Sequence, residues 1–361
     1  MNVNRIIPVH HDNPVGAVHD FLAAWWQSIG LQALLAPIEA VDRSGVMTQP
    51  IDQLDDIERI NPFAPLMLSN AAALVNAFVR DRAGQRLAVM LRPCELRALI
   101  ELRKRHRVGA VDEAIANHTL VVIGVDCVAT YPPDEYARRL QEHGEEAVTH
   151  DALMYAGEGV YSPYDLRPAC KVCDWPAPRG ADVVIGAIGV AAEQYLLVIA
   201  HDEETDARWR LGKVTADLAT ESQVAQREMA VGELIDKRAA VRAQQLGLAS
   251  ENIMDFARLL SWISNCTLCG DCLDACPMYN GELAGLLGVG SAHRYNHAPL
   301  ADFIEVARWL TSCAGCGMCE EACEPGVPLG LIASALSHGI RGGLHQYVAG
   351  DPNRALPWVG R

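Results

Sequence analysis

Aromatic residues are scarce in this chain, at 6% of 361 residues with only 5 phenylalanines. Basic residues are outnumbered, 30 lysines and arginines against 45 aspartates and glutamates, for a formal net charge of −15. An acidic surface repels phosphate backbones, so nucleic acid is excluded as an expected partner. Long apolar runs are missing. Those at 118–125 and 194–200 are strand-sized and fall well short of the roughly 20 residues that cross a bilayer, so no membrane span is expected. The N-terminus is polar, is broken by Pro8 and Pro14, and lacks both a basic segment leading into an apolar one and a twin-arginine pair. No secretion signal is read there, and the chain is expected to be cytoplasmic. There is no G-x-S-x-G, Walker or G-x-G-x-x-G motif, and no C-x3-C-x2-C run of the kind used in radical chemistry. The 12 cysteines are too few and too unevenly placed for a disulfide scaffold.

What remains is an ordinary globular composition, 50% hydrophobic and 21% charged, long enough for two domains. Residues 15–38 carry apolar side chains at helical spacing around Trp25, Trp26 and Leu31 and read as a helix pair ending near Pro37. A polar stretch follows over 41–64, and 66–82 reads as a further helix. The clearest unit comes next: LAVML (87–91) is a buried strand, 92–108 is helical, and TLVVIGVD (119–126) is a second buried strand. Strands joined by such a crossover lie parallel in one sheet, which places the loops bearing Cys94 and Cys127 side by side. Beyond a proline- and tyrosine-rich region (131–168), 182–190 and 195–203 read as two more strands. Two or three helices are expected over 213–262, and the last hundred residues read as helical. The expected fold is an α/β domain over 1–212, an all-α domain over 213–350 and an irregular tail over 351–361.

The strongest signal is a repeat. CTLCGDCLDACP (266–277) and CAGCGMCEEACEP (313–325) both read C-x2-C-x2-C-x3-C. In two-cluster ferredoxins three such closely spaced thiolates hold one 4Fe-4S cube and the fourth reaches the other cube. On that pattern Cys266, Cys269, Cys272 and Cys323 form one ligand set, and Cys313, Cys316, Cys319 and Cys276 the other; pairing within each motif stays open. Zinc knuckles use pairs of ligands across a longer loop, which does not match four cysteines in eleven residues. Helical character in the 36 residues between Cys276 and Cys313 makes this part similar to the alpha-helical ferredoxin domain of heterodisulfide reductase and succinate dehydrogenase subunits. Four cysteines remain, Cys94, Cys127, Cys170 and Cys173. Their number suits one more cluster, but buried thiols, a redox dithiol or half a zinc site are alternatives.

The run VMLRPCELRALIEL, then LVVIGVDC, then CKVCDWPAPRGADVVIGAIGV, resembles the beta subunits of coenzyme F420-reducing hydrogenase and F420-dependent formate dehydrogenase, over about residues 65–205. The resemblance implies an N-terminal flavin and iron-sulfur domain in which Cys94, Cys127, Cys170 and Cys173 hold a third 4Fe-4S cluster beside FAD. It also implies that Asp182, Gly186 and Gly189 lie near the flavin, although G-x-x-G also suits a plain strand end. Unlike many members, this chain has its two-cluster module after that core. The function so implied is electron relay in an oxidoreductase complex. A larger catalytic subunit is expected as partner, of molybdopterin, nickel-iron or heterodisulfide-reductase-like type, with a deazaflavin, nicotinamide or ferredoxin as redox acceptor. A flavin-free wire subunit and an enzyme acting directly on a small substrate are the other readings. The basic residues Arg97, Arg103, Lys104, Arg105 and Arg107 read as a solvated helix face.

Overall fold

A computed structural model describes residues 2–40, 45–279, 299–343 and 347–358. The chain divides into two compact units: 1–96, 108–166 and 174–237 form the first, and 97–107, 167–173 and 238–361 the second.

The first unit is built on a seven-stranded mixed sheet. Its strands are β1 (Val3–Pro8), β2 (Ala33–Glu39), β3 (Val46–Ile51), β4 (Leu87–Leu91), β5 (Leu120–Val125), β6 (Val183–Gly186) and β7 (Tyr195–Ala200), in the order β1-β7-β6-β5-β4-β2-β3. The centre, β6-β5-β4-β2, is parallel. β7 runs antiparallel to β6, β1 antiparallel to β7, and β3 antiparallel to β2. The expected pairing of 87–91 with 119–126 holds, with Leu87 opposite Leu120 and Leu91 opposite Gly124. Every residue of these two strands is buried, as the continuous Val/Ile/Leu runs require of a sheet covered on both faces.

Of the helix pair expected over 15–38, only the first helix forms. Helix α1 (Pro14–Ile29) starts on the Asn13 side chain, which accepts from the Gly16 amide at 2.8 Å, and stops at Gly30. Gly30 adopts φ +63°, the left-handed conformation that ends helices at little cost to glycine. The following ALLAPIE is strand β2: pairing on both sides, with β3 and β4, outweighs the helical preference of its Ala and Leu. Trp25 anchors α1 in the core. It is fully buried, stacks on Phe21 and donates its indole N–H to the Trp209 carbonyl at 2.6 Å.

Helix α2 (Ala72–Arg80) starts later than expected, α3 (Pro93–Lys104) follows β4, and α4 (Gly109–Ala116) precedes β5. Helices α5 (Pro133–His143), α6 (Glu145–Gly157) and the short α7 (Pro168–Lys171) occupy the region read only as proline- and tyrosine-rich. After α8 (Glu203–Arg208), the stretch read as two or three helices holds two, the 34-residue α9 (Glu221–Met254) and α10 (Phe256–Ile263).

The second unit is helical. Its remaining elements are α11 (Asp271–Asp274), α12 (Pro299–Thr311), α13 (Met318–Glu321) and α14 (Leu329–Gly343). The first part of the helical stretch expected between Cys276 and Cys313 lies outside the described residues. Leu246 and Ala249 of α9 pack with Ala335 and Leu331 of α14 and with Trp262. α12 is tied to α14 by the Ser337 hydroxyl, which donates to the Leu310 carbonyl at 2.6 Å. The residues after α14 carry no helix or strand among those described, but Tyr347, Ala349 and Leu356 form a small buried cluster. Among the described residues no helix is long and apolar enough to cross a membrane.

Candidate metal centre

Each cysteine motif is a loop ending in a one-turn helix. In the first, Cys266 follows α10, Leu268 and Gly270 take φ +58° and +95°, and Gly270 starts the turn α11 that contains Cys272. In the second, Cys313 follows α12, Gly315 and Gly317 take φ +68° and +72°, and Gly317 starts the turn α13 that contains Cys319. Left-handed residues at these places curl the backbone around a centre, which glycine tolerates best. The two one-turn helices pack on each other, so the fourth cysteine of each motif is delivered toward the other loop.

Electrostatics shows which thiols face one another. Burial raises the Cys272 pKa, and the thiols that raise it further are Cys323, Cys269 and Cys266. Burial pushes Cys276 up to about 12, with Cys316 and Cys313 as its charged neighbours. Cys319 is pushed up by burial and then by Cys313, Cys316 and Cys276. The neighbourhoods are therefore the crossed sets, 266/269/272/323 and 276/313/316/319. The second set lines a small cavity that is otherwise apolar, walled by Met278, Trp309 and Leu310. Cys276 and Cys319 resist ionisation because burial in an apolar pocket leaves a thiolate unsolvated and the neighbouring thiols oppose a second charge. Cationic iron reverses that balance, so the donor set fits a four-cysteine cluster. Among the described residues, no group of three His, Cys, Asp or Glu side chains converges on a single metal ion. Cys266 and Cys269 are exposed, whereas the other ten cysteines are half-buried.

The basic residues read as a solvated face are not one. Arg97 is 7% exposed and donates to the Ala349 carbonyl. Lys104 reaches Glu101 at 2.8 Å and the Tyr347 hydroxyl at 2.9 Å. Arg105 donates to the Ser312 hydroxyl at 3.0 Å and to the Arg308 carbonyl. The reason lies in Glu101, which is fully buried and accepts from Lys104, Tyr347 and the Gly350 amide. A buried carboxylate needs cations and donors around it, and no periodicity of basic residues reveals that.

Cys94 opens α3 directly after β4, with its thiol 3.9 Å from the Met67 sulfur, and Cys127 follows β5 with its amide bonded to the Pro176 carbonyl at 2.9 Å. The parallel pairing of β4 and β5 puts both at the same edge of the sheet. Cys170 and Cys173 belong to the second unit, where Arg238 donates to the carbonyls of both and Arg242 to that of Val172.

Asp182, Gly186 and Gly189, implied as flavin neighbours, are taken up by the fold. The Asp182 carboxylate accepts from the Val122 amide at 2.8 Å, at the start of β6. A Cβ on Gly186 would stand 2.9 Å from the Arg227 guanidinium, and one on Gly189 would stand 2.5 Å from the Ala230 Cβ. Both glycines therefore let α9 approach the sheet. Gly189 also has φ +69°, so Gly189→Ala is expected to cost about 1–2 kcal/mol from backbone conformation alone, before the collision with Ala230. A thermal unfolding scan checks this; an unchanged Tm would show that α9 gives way freely.

One element of this edge escaped sequence reading. Asp126 and Arg227 form a buried ion pair 101 residues apart, at 2.5 Å. The only trace in the sequence is an acidic residue closing the apolar run LVVIGVD, since Arg227 sits in a stretch whose composition suits a solvated helix.

Residues 84–224 match the family model for the C-terminal part of the coenzyme F420 hydrogenase/dehydrogenase beta subunit, and residues 263–324 match a 4Fe-4S dicluster domain. Among curated proteins, F420-dependent formate dehydrogenase 1 subunit beta of Methanococcus maripaludis is 24% identical over 182 residues. That match covers 42% of this chain and 44% of the relative, so the chain spans less than half the length of that protein. Among solved structures, a chain of the F420-reducing nickel-iron hydrogenase complex from Methanosarcina barkeri aligns with a TM-score of 0.50 at 10% identity. The alignment covers 68% of this chain and 91% of that one, a likeness of fold.

Proposed function

We propose that this chain is an iron-sulfur electron-transfer subunit of an oxidoreductase complex related to F420-dependent hydrogenases and formate dehydrogenases. The observation that carries the reading is the gathering of two crossed sets of four cysteines on paired loops, in the region that matches a dicluster domain. When bound, 4Fe-4S clusters supply one-electron transfer. The chain's own residues hold the thiols in place, exclude water from the 276/313/316/319 set with Met278, Trp309 and Leu310, and leave Cys266 and Cys269 at the surface. A site with apolar walls and one with two exposed ligands in the same unit suit a relay whose outer end faces a partner. The primary oxidation or reduction then belongs to a larger catalytic subunit, of molybdopterin, nickel-iron or heterodisulfide-reductase-like type, and the acceptor is a deazaflavin, nicotinamide or ferredoxin.

The third cluster, at Cys94, Cys127, Cys170 and Cys173, rests on the family resemblance and on the placing of Cys94 and Cys127 at one sheet edge. For FAD, the sites implied at Gly186 and Gly189 do not fit, because α9 fills the space that the glycines open. No step is therefore assigned to a flavin. The occupation of these glycines by α9 favours the second reading, a wire that carries clusters alone.

The test is iron, sulfide and flavin content of the anaerobically purified chain. About 8 iron atoms per chain are expected from the two crossed sets and about 12 if the remaining cysteines hold a third cluster. Fewer than about 8 would overturn the dicluster reading. One flavin per chain would overturn the flavin-free form and place the flavin away from Gly186 and Gly189.

A further inference from the structure

The second cysteine loop of the second unit has a feature that its motif does not anticipate: arginine side chains donate to its backbone carbonyls. Arg341 of α14 donates to the Cys313 carbonyl at 2.6 Å and to the Thr311 carbonyl at 3.0 Å. Arg167, 1% exposed, donates to the Cys316 carbonyl at 3.2 Å while pairing with Glu321 at 2.7 Å. A guanidinium nitrogen of Arg97 lies 4.0 Å from where a Cβ of Gly315 would stand.

Pinning a carbonyl needs only a neutral donor, as the Ser337 hydroxyl demonstrates on Leu310 nearby. A cation does more. Arg341 is half-buried, and a guanidinium keeps its charge at neutral pH. Adding an electron to a cluster adds a negative charge inside the thiolate set, and burial in an apolar pocket opposes that charge. A fixed positive charge just outside the loop favours it, and more strongly where water is excluded.

We propose that Arg341 and Arg167 are positioning residues that set the potential of a cluster held by Cys276, Cys313, Cys316 and Cys319, raising it above the value that burial alone would impose. The inference rests on the reading of that cysteine set as a 4Fe-4S site. One electron is taken up, the guanidinium groups keep their protons, and no bond to either arginine forms or breaks.

The experiment is an anaerobic redox titration of the full chain, with dithionite as reductant and electron paramagnetic resonance as readout, on wild type, Arg341→Gln, Arg341→Lys and Arg167→Gln. Arg341→Gln is expected to lower the midpoint of one cluster and leave the other unchanged, Arg341→Lys to restore most of the shift, and Arg167→Gln to lower the same cluster. Unmoved midpoints in Arg341→Gln and Arg167→Gln at full iron content would overturn the proposal. Equal shifts in Arg341→Gln and Arg341→Lys would overturn it too, by tracing the effect to loop geometry. Should Arg341→Gln fail to fold, Arg167→Gln decides the matter. A wild-type chain without reducible clusters would overturn the parent reading before any variant is compared.

Discussion

Cys276→Ser is expected to erase or transform the same iron-sulfur signal as Cys313→Ser, and to leave untouched the signal lost in Cys266→Ser. Cys323→Ser should behave in the opposite way and join Cys266→Ser. The argument is one of neighbourhood. Cys276 belongs in sequence to the first motif, yet its thiol shares a cavity with Cys313, Cys316 and Cys319, and Cys323 bears on Cys272. Chain direction explains the exchange, because each motif runs from its loop into a one-turn helix that packs on its counterpart. Serine is a poor substitute for a thiolate ligand, so each variant should lose between about one and about four iron atoms from one cluster. Iron analysis with paramagnetic resonance on the four variants makes the measurement. If Cys276→Ser and Cys266→Ser affect the same cluster, each motif keeps its own four ligands and the crossed assignment is wrong.

Arg227→Met should destabilise the chain by about 3–5 kcal/mol, the range found when one member of a buried ion pair is removed. Asp126 has no exposed side-chain surface. One of its oxygens accepts from the amides of Ala187 and Ile188, both at 2.9 Å, and from Arg227 at 2.5 Å; the other accepts from Arg227 at 2.8 Å. Burial opposes the charge on Arg227, but Asp126 overcomes it and holds the guanidinium pKa above its usual value. Arg227 also donates to the Ile188 carbonyl at 3.1 Å. One side chain of α9 therefore ties the end of β5 to the turn after β6, immediately beside Cys127. Removing it strands a carboxylate in the interior with only two amide donors. The double variant Asp126→Asn, Arg227→Met should recover part of the loss, because the stranded charge is then gone. Denaturant unfolding of the single and double variants measures both effects, and a loss below about 1 kcal/mol in Arg227→Met would show that water or a shifted neighbour replaces the arginine.

Several elements were legible because local pattern and global placement agree. LAVML and LVVIGV are short, continuous apolar runs, the second rich in β-branched residues, the pattern of strands buried on both faces. The reading failed where partners distant in sequence decide the outcome. ALLAPIE has the composition of a helix and becomes a strand because β3 and β4 offer it a ladder on each side. VNRIIP, a strand at the edge of the sheet, is too polar to signal its pairing with β7. The Asp126–Arg227 pair joins residues 101 positions apart, a separation that no periodicity can report.

By itself, then, the sequence determined the central parallel strands, the helical character of the C-terminal region and the repeat that concentrates eight cysteines there, since hydrophobic period and ligand spacing are properties of short stretches. Only the tertiary structure decided which thiols face one another, which arginines stand behind the second cysteine loop, and that Gly186 and Gly189 admit a helix. Each of these is an interaction between side chains far apart along the chain, and its strength depends on how much water the fold removes from around them.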